Sequence, residues 1–370
     1  MGLFNPRPKK NLSEFFDMEM ELEEFMRYVK SSPLTLVLGL RRYGKTSLIF
    51  TGLNALNLKY LYIDCKILPL GMIGIGDFAH LLATAFNDFI KRYKPVRSTL
   101  LKLLENINGV TVGALGVSIN LRRFNVTSLV DLIESLDGLN ERLILVIDEA
   151  QELRRLARYS ASQLLAYIYD NLPNVGVVVS GSQVGLLYRT LQIDKPGAPL
   201  YGRAYVEVRL KRLNKELSKE FLEKGFKEEG LTPPAKFINY VVDHVDGVIG
   251  WLTYVGFRTS IMKTFTKKTV DKVLDEASKI VLEELEHFLS LRPTARKRYI
   301  EALRAISLLE KASWSNVYNY MQAKLGRIPK PTFNNILKSL RDAGFIEKRE
   351  SFYVVADPIL RNTLKRRIIK

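Results

Sequence analysis

Five short segments rich in apolar residues occur in the first 212 positions, and each is typical of a buried strand in a parallel sheet. They occupy residues 33–39, 60–65, 142–148, 175–180 and 205–210. Between them, apolar positions at helical spacing predict helices over residues 14–29, 77–107, 126–139 and 161–171, and residues 110–121 fit a glycine-rich hairpin. This alternation of strands and helices predicts an α/β fold built on a parallel sheet.

After residue 212 only helical spacing continues, with helices predicted at 214–230, 234–246, 249–264 and 267–290. Beyond Pro293, three helical stretches (294–310, 314–324 and 331–343) precede an alternating hairpin segment at 344–355. Three helices followed by a hairpin are the plan of a winged helix. We therefore predict three domains: the α/β core in residues 1–212, a helical domain in 213–290 and a winged-helix domain in 291–370.

The first apolar run leads directly into Gly39-Leu-Arg-Arg-Tyr-Gly-Lys-Thr46, which matches the phosphate-loop pattern G-x-x-x-x-G-K-[ST] in full. Backbone N–H groups of such a loop, at a helix N-terminus, bind phosphate oxygens. Lys45 is expected to reach the β- and γ-phosphates of ATP, and Thr46 to present a hydroxyl to Mg²⁺. The predicted nucleotide-binding residues here are Gly39, Leu40, Arg41, Arg42, Tyr43, Gly44, Lys45, Thr46 and Ser47.

A second motif closes the third strand run, where Asp148 and Glu149 stand at the carboxyl end. Asp148 is predicted to hold Mg²⁺ with Thr46, and Glu149 to polarise the attacking water, which favours ATP hydrolysis over kinase or GTPase chemistry. Ser180 ends the fourth strand, where it either contacts the γ-phosphate or orients the water between the loop and Glu149, or is only a turn serine. Arg203 is either a residue that neutralises transition-state charge or a surface arginine. The predicted catalytic set is Lys45, Asp148, Glu149, Ser180 and Arg203.

Charge is spread unevenly along the chain. The formal net charge is +17, and the last 80 residues hold 18 Lys or Arg against 6 Asp or Glu. This excess indicates a polyanionic partner, nucleic acid first, although a Lys-rich surface on a thermophilic protein gives a similar composition. The residues predicted to face duplex DNA are Thr332, Asn335, Lys338 and Arg341 on the recognition helix and Lys348 and Arg349 on the wing. Winged helices also serve as protein-interaction or autoinhibitory modules.

Targeting signals are not evident in the sequence. No run of eighteen uncharged apolar residues occurs, so we expect no membrane-spanning helix. The first ten residues lack the apolar core of a signal peptide, and Cys65 is the only cysteine. We therefore expect a cytoplasmic protein without an internal disulfide.

As a set, these motifs resemble those of the archaeal P-loop ATPases of the signal-transducing, STAND-like branch, which is related to AAA+ proteins. The matching segments are residues 11–17, 38–46, 146–153, 180–187, 199–203 and 247–254. The resemblance implies a P-loop NTPase sheet, an α-helical lid, a C-terminal winged helix, and ATP or ADP with Mg²⁺ as ligands. It also implies that Phe15 and Phe16 lie near the adenine and that Gly250 and Trp251 contact the nucleotide, although core packing explains these apolar side chains equally well.

The function expected from these features is that of a Mg²⁺-dependent ATP-hydrolysing molecular switch whose basic winged helix binds DNA. The alternative is a signalling ATPase whose winged helix engages a protein partner or autoinhibits. Two positions depart from the family pattern: Met18 stands where a charged residue is usual, and Ile249 where proline is usual.

Overall fold

A computed structural model describes residues 2–69, 71–113, 116–120, 122–123, 125–157, 160–309 and 311–368, without the side chains of residues 367 and 368. The chain divides into two compact units. The sheet unit comprises Lys9–Gly39 and Lys45–Leu210, and the helical unit comprises Met1–Pro8, Leu40–Gly44 and Lys211–Lys370. The finer division into three domains, 1–212, 213–290 and 291–370, stays a prediction.

Strands of the sheet unit form one five-stranded parallel sheet and a separate hairpin among the residues described. They are β1 (Leu34–Leu38), β2 (Lys59–Asp64), β3 (Val110–Gly113), β4 (Gly116–Ile119), β5 (Leu143–Asp148), β6 (Val175–Gly181) and β7 (Val206–Arg209). The parallel sheet has the order β2-β5-β6-β1-β7. Its central strands β1, β5 and β6 are buried along their whole length, which explains their continuous apolar sequences. The five predicted strands are confirmed.

The register brings the polar strand ends together. Asp64 of β2 lies opposite Asp148 of β5, and Leu38 of β1 lies opposite Gly181 of β6. Because parallel strands share one carboxyl edge, the acidic pair after β5 and the serines at the end of β6 lie at the same edge as the end of β1.

Helices of the sheet unit largely follow the predicted spans. They are α1 (Glu19–Ser31), α2 (Lys45–Ala55), α3 (Ile75–Arg92), α4 (Lys94–Leu104), α5 (Val126–Asp137), α6 (Ala161–Asn171) and α7 (Val184–Leu191). The predicted start of the first helix, at residue 14, was wrong. Asp17 and Met18 have left-handed backbone angles, with φ of 53° and 63°, which a right-handed helix cannot accommodate. Strands β3 and β4 confirm the hairpin at 110–121, of which residues 114, 115 and 121 lie outside the described part.

The helical unit contains the predicted helices and winged helix. Its elements are α8 (Lys215–Glu228), α9 (Ala235–Val245), α10 (Ile249–Met262), α11 (Lys267–Ser290), α12 (Arg296–Leu308), β8 (Ala312–Ser313), α13 (Trp314–Leu325), α14 (Lys330–Asp342), β9 (Ile346–Arg349), β10 (Phe352–Val355) and α15 (Pro358–Ile368). Strands β8, β10 and β9 pair in that order as an antiparallel sheet, and with α12–α14 they form the winged helix. No helix in the described ranges is long and apolar enough to span a membrane.

Phe4 anchors the N-terminal segment within the helical unit. Its ring meets the rings of Phe221 and Phe226 edge to face, with centroids 5.8 and 4.8 Å away. A Cβ at Gly225 or Gly256 would lie 2.5 or 2.3 Å from atoms of the Phe4 ring. Two glycines on neighbouring helices thus make the space that this ring fills.

Candidate functional site

The phosphate loop, residues 39–46, joins β1 to α2, as its sequence pattern requires. Lys45 is the first residue of α2 and is buried, and its Nζ donates to the Gly39 carbonyl oxygen at 2.8 Å. Arg42 and Gly44 both have positive φ, 67° and 85°. Residues that alternate between right- and left-handed backbone turn successive N–H groups into a concave anion site. The loop therefore has the backbone character expected of a phosphate cradle.

Asp148, at the end of β5, accepts hydrogen bonds from several neighbouring side chains. Its Oδ2 accepts hydrogen bonds from Thr46 Oγ1 at 2.9 Å and from the Tyr62 hydroxyl at 2.8 Å, and lies 3.5 Å from Lys66 Nζ. Its Oδ1 accepts a hydrogen bond from Ser180 Oγ. Burial alone would raise the pKa of the Asp148 carboxyl, but the Lys66 ammonium and the hydroxyl donors outweigh burial and lower it. The side chain is therefore an anion at neutral pH.

The pair of Thr46 and Asp148 fits the predicted Mg²⁺ site. A hydroxyl and a carboxylate are hard oxygen donors, the type that Mg²⁺ prefers. The two side chains already touch, with Oγ1 and Oδ2 2.9 Å apart, so both can contribute oxygen atoms to one position. Among the described residues, no group of three or more His, Cys, Asp or Glu could hold a metal ion by itself.

Glu149 is held firmly beside Asp148. It has a left-handed backbone, with φ of 53°, and its side chain is buried. Its Oε2 accepts hydrogen bonds from Gln151 Nε2 at 2.5 Å and from the backbone N and Oγ of Ser182 at 3.0 and 2.5 Å. Its Oε1 lies 4.0 Å from Lys45 Nζ. Burial raises the pKa of Glu149, but the Lys45 charge and these donors bring the net pKa below its ordinary value.

The loop residues Arg41, Arg42 and Tyr43 contact side chains of the helical unit. Glu284 of α11 pairs with both arginines, and Arg42 lies over the ring of Trp251. The backbone N–H of Gly250 donates to the Arg42 carbonyl oxygen at 2.9 Å. Gly250 and Trp251 were predicted to contact nucleotide; the structure places both against the loop that is predicted to bind it.

Tyr43 is connected to the winged helix through Arg212. Its hydroxyl accepts a hydrogen bond from Arg212 Nε at 2.7 Å. The same guanidinium group pairs with Asp246 at 2.5 Å and donates to the Ala356 carbonyl oxygen at 2.5 Å. Back in the sheet unit, the hydroxyl of Ser47 accepts a hydrogen bond from the backbone N–H of Lys9 at 3.0 Å.

Three predicted site residues lie in surroundings that do not by themselves favour a catalytic or binding role. Phe15 and Phe16 precede α1, with Phe15 partly exposed and Phe16 buried. Arg203 pairs through two nitrogens with Asp170 and donates to the Pro199 carbonyl oxygen. The proposed roles of all three residues stay predictions.

Several residues around the acidic pair were not predicted. Tyr62 and Lys66 bind Asp148, and Gln151 and Ser182 bind Glu149. A signal for Tyr62 does exist, since a tyrosine inside a buried strand at its carboxyl end needs a hydrogen-bond partner. The serine pair at the end of β6 divides its contacts, with Ser180 on Asp148 and Ser182 on Glu149.

The predicted DNA-contacting residues lie on two elements of the winged helix, α14 and β9. On α14, Asn335, Lys338 and Arg341 are exposed and Thr332 is partly exposed, while Phe333 and Leu340 on the other face are buried. Lys348 and Arg349 are exposed on β9, where Arg349 also pairs with Glu347 at 3.2 Å. A groove is lined by Asn334, Leu337, Lys338, Arg341 and Tyr353.

The chain is similar to known proteins. Residues 15–255 match the model of a family described as an ATPase domain predominantly from Archaea. Residues 293–355 match the C-terminal winged helix-turn-helix domain of MCM proteins. No curated protein matches the chain.

Two solved structures extend this comparison. The Walker-type ATPase PABY2304 of Pyrococcus abyssi is 31% identical, with a TM-score of 0.83 over 98% of this chain and 99% of that one. The ORC2 protein of Aeropyrum pernix, solved as ADPNP-ADP complexes, is 14% identical, with a TM-score of 0.60 over 100% of this chain and 98% of that one. At that identity the second match shows a shared fold and no more.

Proposed function

Because the chain belongs to the family of ATPase domains found predominantly in Archaea, we propose that it is an ATP-driven molecular switch whose basic winged helix binds duplex DNA. The chain is an ATP-hydrolysing P-loop enzyme with a C-terminal winged helix. DNA binding and switching go beyond that. The observation that supports them most is the exposed polar face of α14, beside an exposed basic wing. Membership of the STAND-like branch stays a prediction.

In the proposed reaction, the residues at and around the acidic pair have separate roles. Lys45 binds the β- and γ-phosphates, and Thr46 with Asp148 holds Mg²⁺, which when bound neutralises phosphate charge. Glu149 orients the attacking water and accepts its proton. Its lowered pKa keeps it ionised, and the donors on Oε2 leave Oε1 as the oxygen that faces Lys45.

For the DNA-binding role, the supporting feature is a set of exposed polar and basic residues on α14. Lys338 and Arg341 lie one turn apart on α14, and Asn335 precedes Lys338 on the same exposed face. A winged helix places this helix in a major groove and its wing against the backbone. Lysine and arginine contacts to phosphates supply affinity that falls with salt, and asparagine can read adenine directly.

The proposal is tested by measuring ATP turnover and duplex-DNA affinity across a salt series. We expect turnover to change on saturation with DNA and log affinity to fall linearly with log salt. Lys338→Ala should reduce that slope by about 0.9, the value for one phosphate contact. Lys236→Ala, an equal loss of charge at an exposed position of α9, is the matched control and should leave the slope unchanged.

One pair of results would reject the proposal. Turnover that is unaffected by saturating DNA, together with no salt-sensitive DNA affinity, rejects the DNA-coupled switch. The signalling alternative, in which the winged helix engages a protein, would then be the better description of this ATPase.

A further inference from the structure

Arg42 occupies an unusual position in the phosphate loop. Its backbone is left-handed, with φ of 67°, although a side chain with a Cβ disfavours that region. Such a conformation persists where surrounding contacts hold it. Phosphate binding by itself does not select arginine at this position, since the loop pattern leaves the residue open. The contacts of the Arg42 side chain can therefore hold the loop in this conformation.

Glu284, near the end of α11, binds both loop arginines at once. Its Oε2 accepts a hydrogen bond from Arg41 at 2.9 Å, and its Oε1 accepts one from Arg42 at 2.5 Å. A second Arg42 nitrogen lies 3.4 Å from Oε2, so both carboxylate oxygens are engaged. The two guanidinium groups outweigh the effect of burial and lower the pKa of Glu284.

A second carboxylate and an indole ring complete the surroundings of Arg42. The guanidinium carbon lies 4.1 Å from the centre of the Trp251 ring, and one nitrogen lies 3.6 Å from Asp357 Oδ2. Trp251 Nε1 donates to that same Oδ2 at 2.9 Å. Asp357 also accepts hydrogen bonds from two backbone N–H groups at the start of α15. These contacts hold the side chain of Arg42, and the bond from Gly250 to its carbonyl oxygen holds the backbone.

We propose that Glu284 and Asp357 are positioning residues for the phosphate loop: by fixing Arg42 against Trp251 they maintain the left-handed backbone that a bound phosphate requires. This inference concerns the nucleotide site and does not depend on DNA binding. The two residues act through Arg42 and touch no reacting atom. We call Arg42, Trp251, Glu284 and Asp357 the loop clamp.

An isolated surface ion pair contributes little to stability. The proposed effect on the loop therefore depends on several contacts acting together on Arg42. Arg42 is only 19% exposed in its side chain, and it meets two carboxylates and one ring. Fixed, partly desolvated arginines gain from bidentate and stacking contacts together, which lysine cannot reproduce. Loss of Glu284 is therefore expected to loosen the loop and to weaken nucleotide binding more than it slows the chemical step.

The test compares Glu284→Gln with Glu276→Gln in the full-length chain. Glu276 lies on the same helix and pairs with Arg258 at 2.7 Å, with similar exposure, so its replacement removes a comparable ion pair away from the loop. We expect Glu284→Gln to raise the KM for ATP and the Kd for a fluorescent ADP analogue about tenfold, as for loss of a charged hydrogen bond, with kcat nearly unchanged. Glu276→Gln should leave both constants at the native values.

Tryptophan emission supplies a readout that a merely structural role would not move. The chain has two tryptophans, so Trp314→Phe leaves Trp251 as the sole reporter of the clamp. In that background we expect ADP to alter the emission, and Asp357→Asn to change the starting signal because it weakens the partner of Nε1. Asp357→Asn keeps an oxygen for the α15 N–H groups, so folding should survive.

Two results would overturn the inference. Tighter nucleotide binding by Glu284→Gln would show that this carboxylate repels phosphate instead of ordering the loop. Equal effects of Glu284→Gln and Glu276→Gln, including no effect of either, would show that the contacts of Glu284 do not order the loop. Either result leaves the DNA proposal intact, because DNA affinity is measured separately, and absent DNA binding would leave the loop clamp intact.

Discussion

Replacing Glu149 by Gln removes one charge and preserves the shape of the side chain. The native carboxylate is buried, with Oε2 engaged by Ser182 and Gln151. The amide oxygen of Gln can still accept the two hydrogen bonds from Ser182, so the turn after β5 should keep its conformation. The amide cannot take a proton from water at neutral pH. The substitution therefore separates the proposed proton transfer from the folding of the site.

The size of the effect follows from these contacts. A positioned general base contributes about 10²–10⁴ in rate, so kcat should fall by that factor. Nucleotide binding should change far less. Lys45 loses a partner 4.0 Å away but keeps its 2.8 Å hydrogen bond to the Gly39 carbonyl, so the phosphate-binding ammonium stays in place. We expect the Kd for ATP to remain within about fivefold of the native value, since the bound phosphates give Lys45 an anionic partner in place of Glu149.

The assay measures phosphate release and binding of a fluorescent ATP analogue on the same preparation. Glu152→Gln is the control, because Glu152 lies in the same turn and pairs with Arg155 at 2.8 Å instead of with the site residues. Turnover by Glu149→Gln within tenfold of the native rate would refute the assignment of Glu149 as base. Loss of nucleotide binding would show that the carboxylate mainly holds Lys45 in position.

Three further outcomes are expected. Ser182→Ala should lower kcat about tenfold with KM nearly constant, since one charged hydrogen bond to Glu149 is lost; steady-state kinetics checks it. Phe4→Ala should lower the free energy of unfolding by about 3–5 kcal/mol, measured in urea, with Phe4→Leu losing less. The folded pKa of Glu149 lies below its ordinary 4.5, so its contribution to stability is complete above that pH and is lost as pH falls through the folded value. Acid unfolding of Glu149→Gln should lack this component.

Features that depend only on neighbouring residues could be predicted from the sequence. The run 142–148 is mostly apolar because β5 is buried on both faces. The strand and the acidic pair at its carboxyl end could therefore be predicted together. The start of α1 could not be predicted, because apolar spacing continues through Phe15 and Phe16 while the chain turns at Asp17 and Met18. The spacing there reflects burial before the helix as well as within it.

Contacts between distant segments were beyond prediction. Tyr62 and Lys66 reach Asp148 because β2 lies next to β5, and a single sequence gives no strand order. Glu284 is one acid among many on α11, and nothing in the helical pattern distinguishes it from Glu276. Only the fold shows which one meets the loop arginines.

The positions that the phosphate-loop motif leaves unspecified make contacts of their own. Phosphate binding fixes Gly39, Gly44, Lys45 and Thr46 and leaves the residues between the glycines free, so those residues can serve other partners. Two of these residues are connected by side-chain contacts to the same turn of the helical unit. Arg42 reaches Asp357 directly, and Tyr43 reaches the neighbouring Ala356 carbonyl through Arg212. Both sets of contacts end at the turn between β10 and α15, so the loop side chains and this turn are connected directly. On the loop side, this connection uses only residues that the motif leaves unspecified.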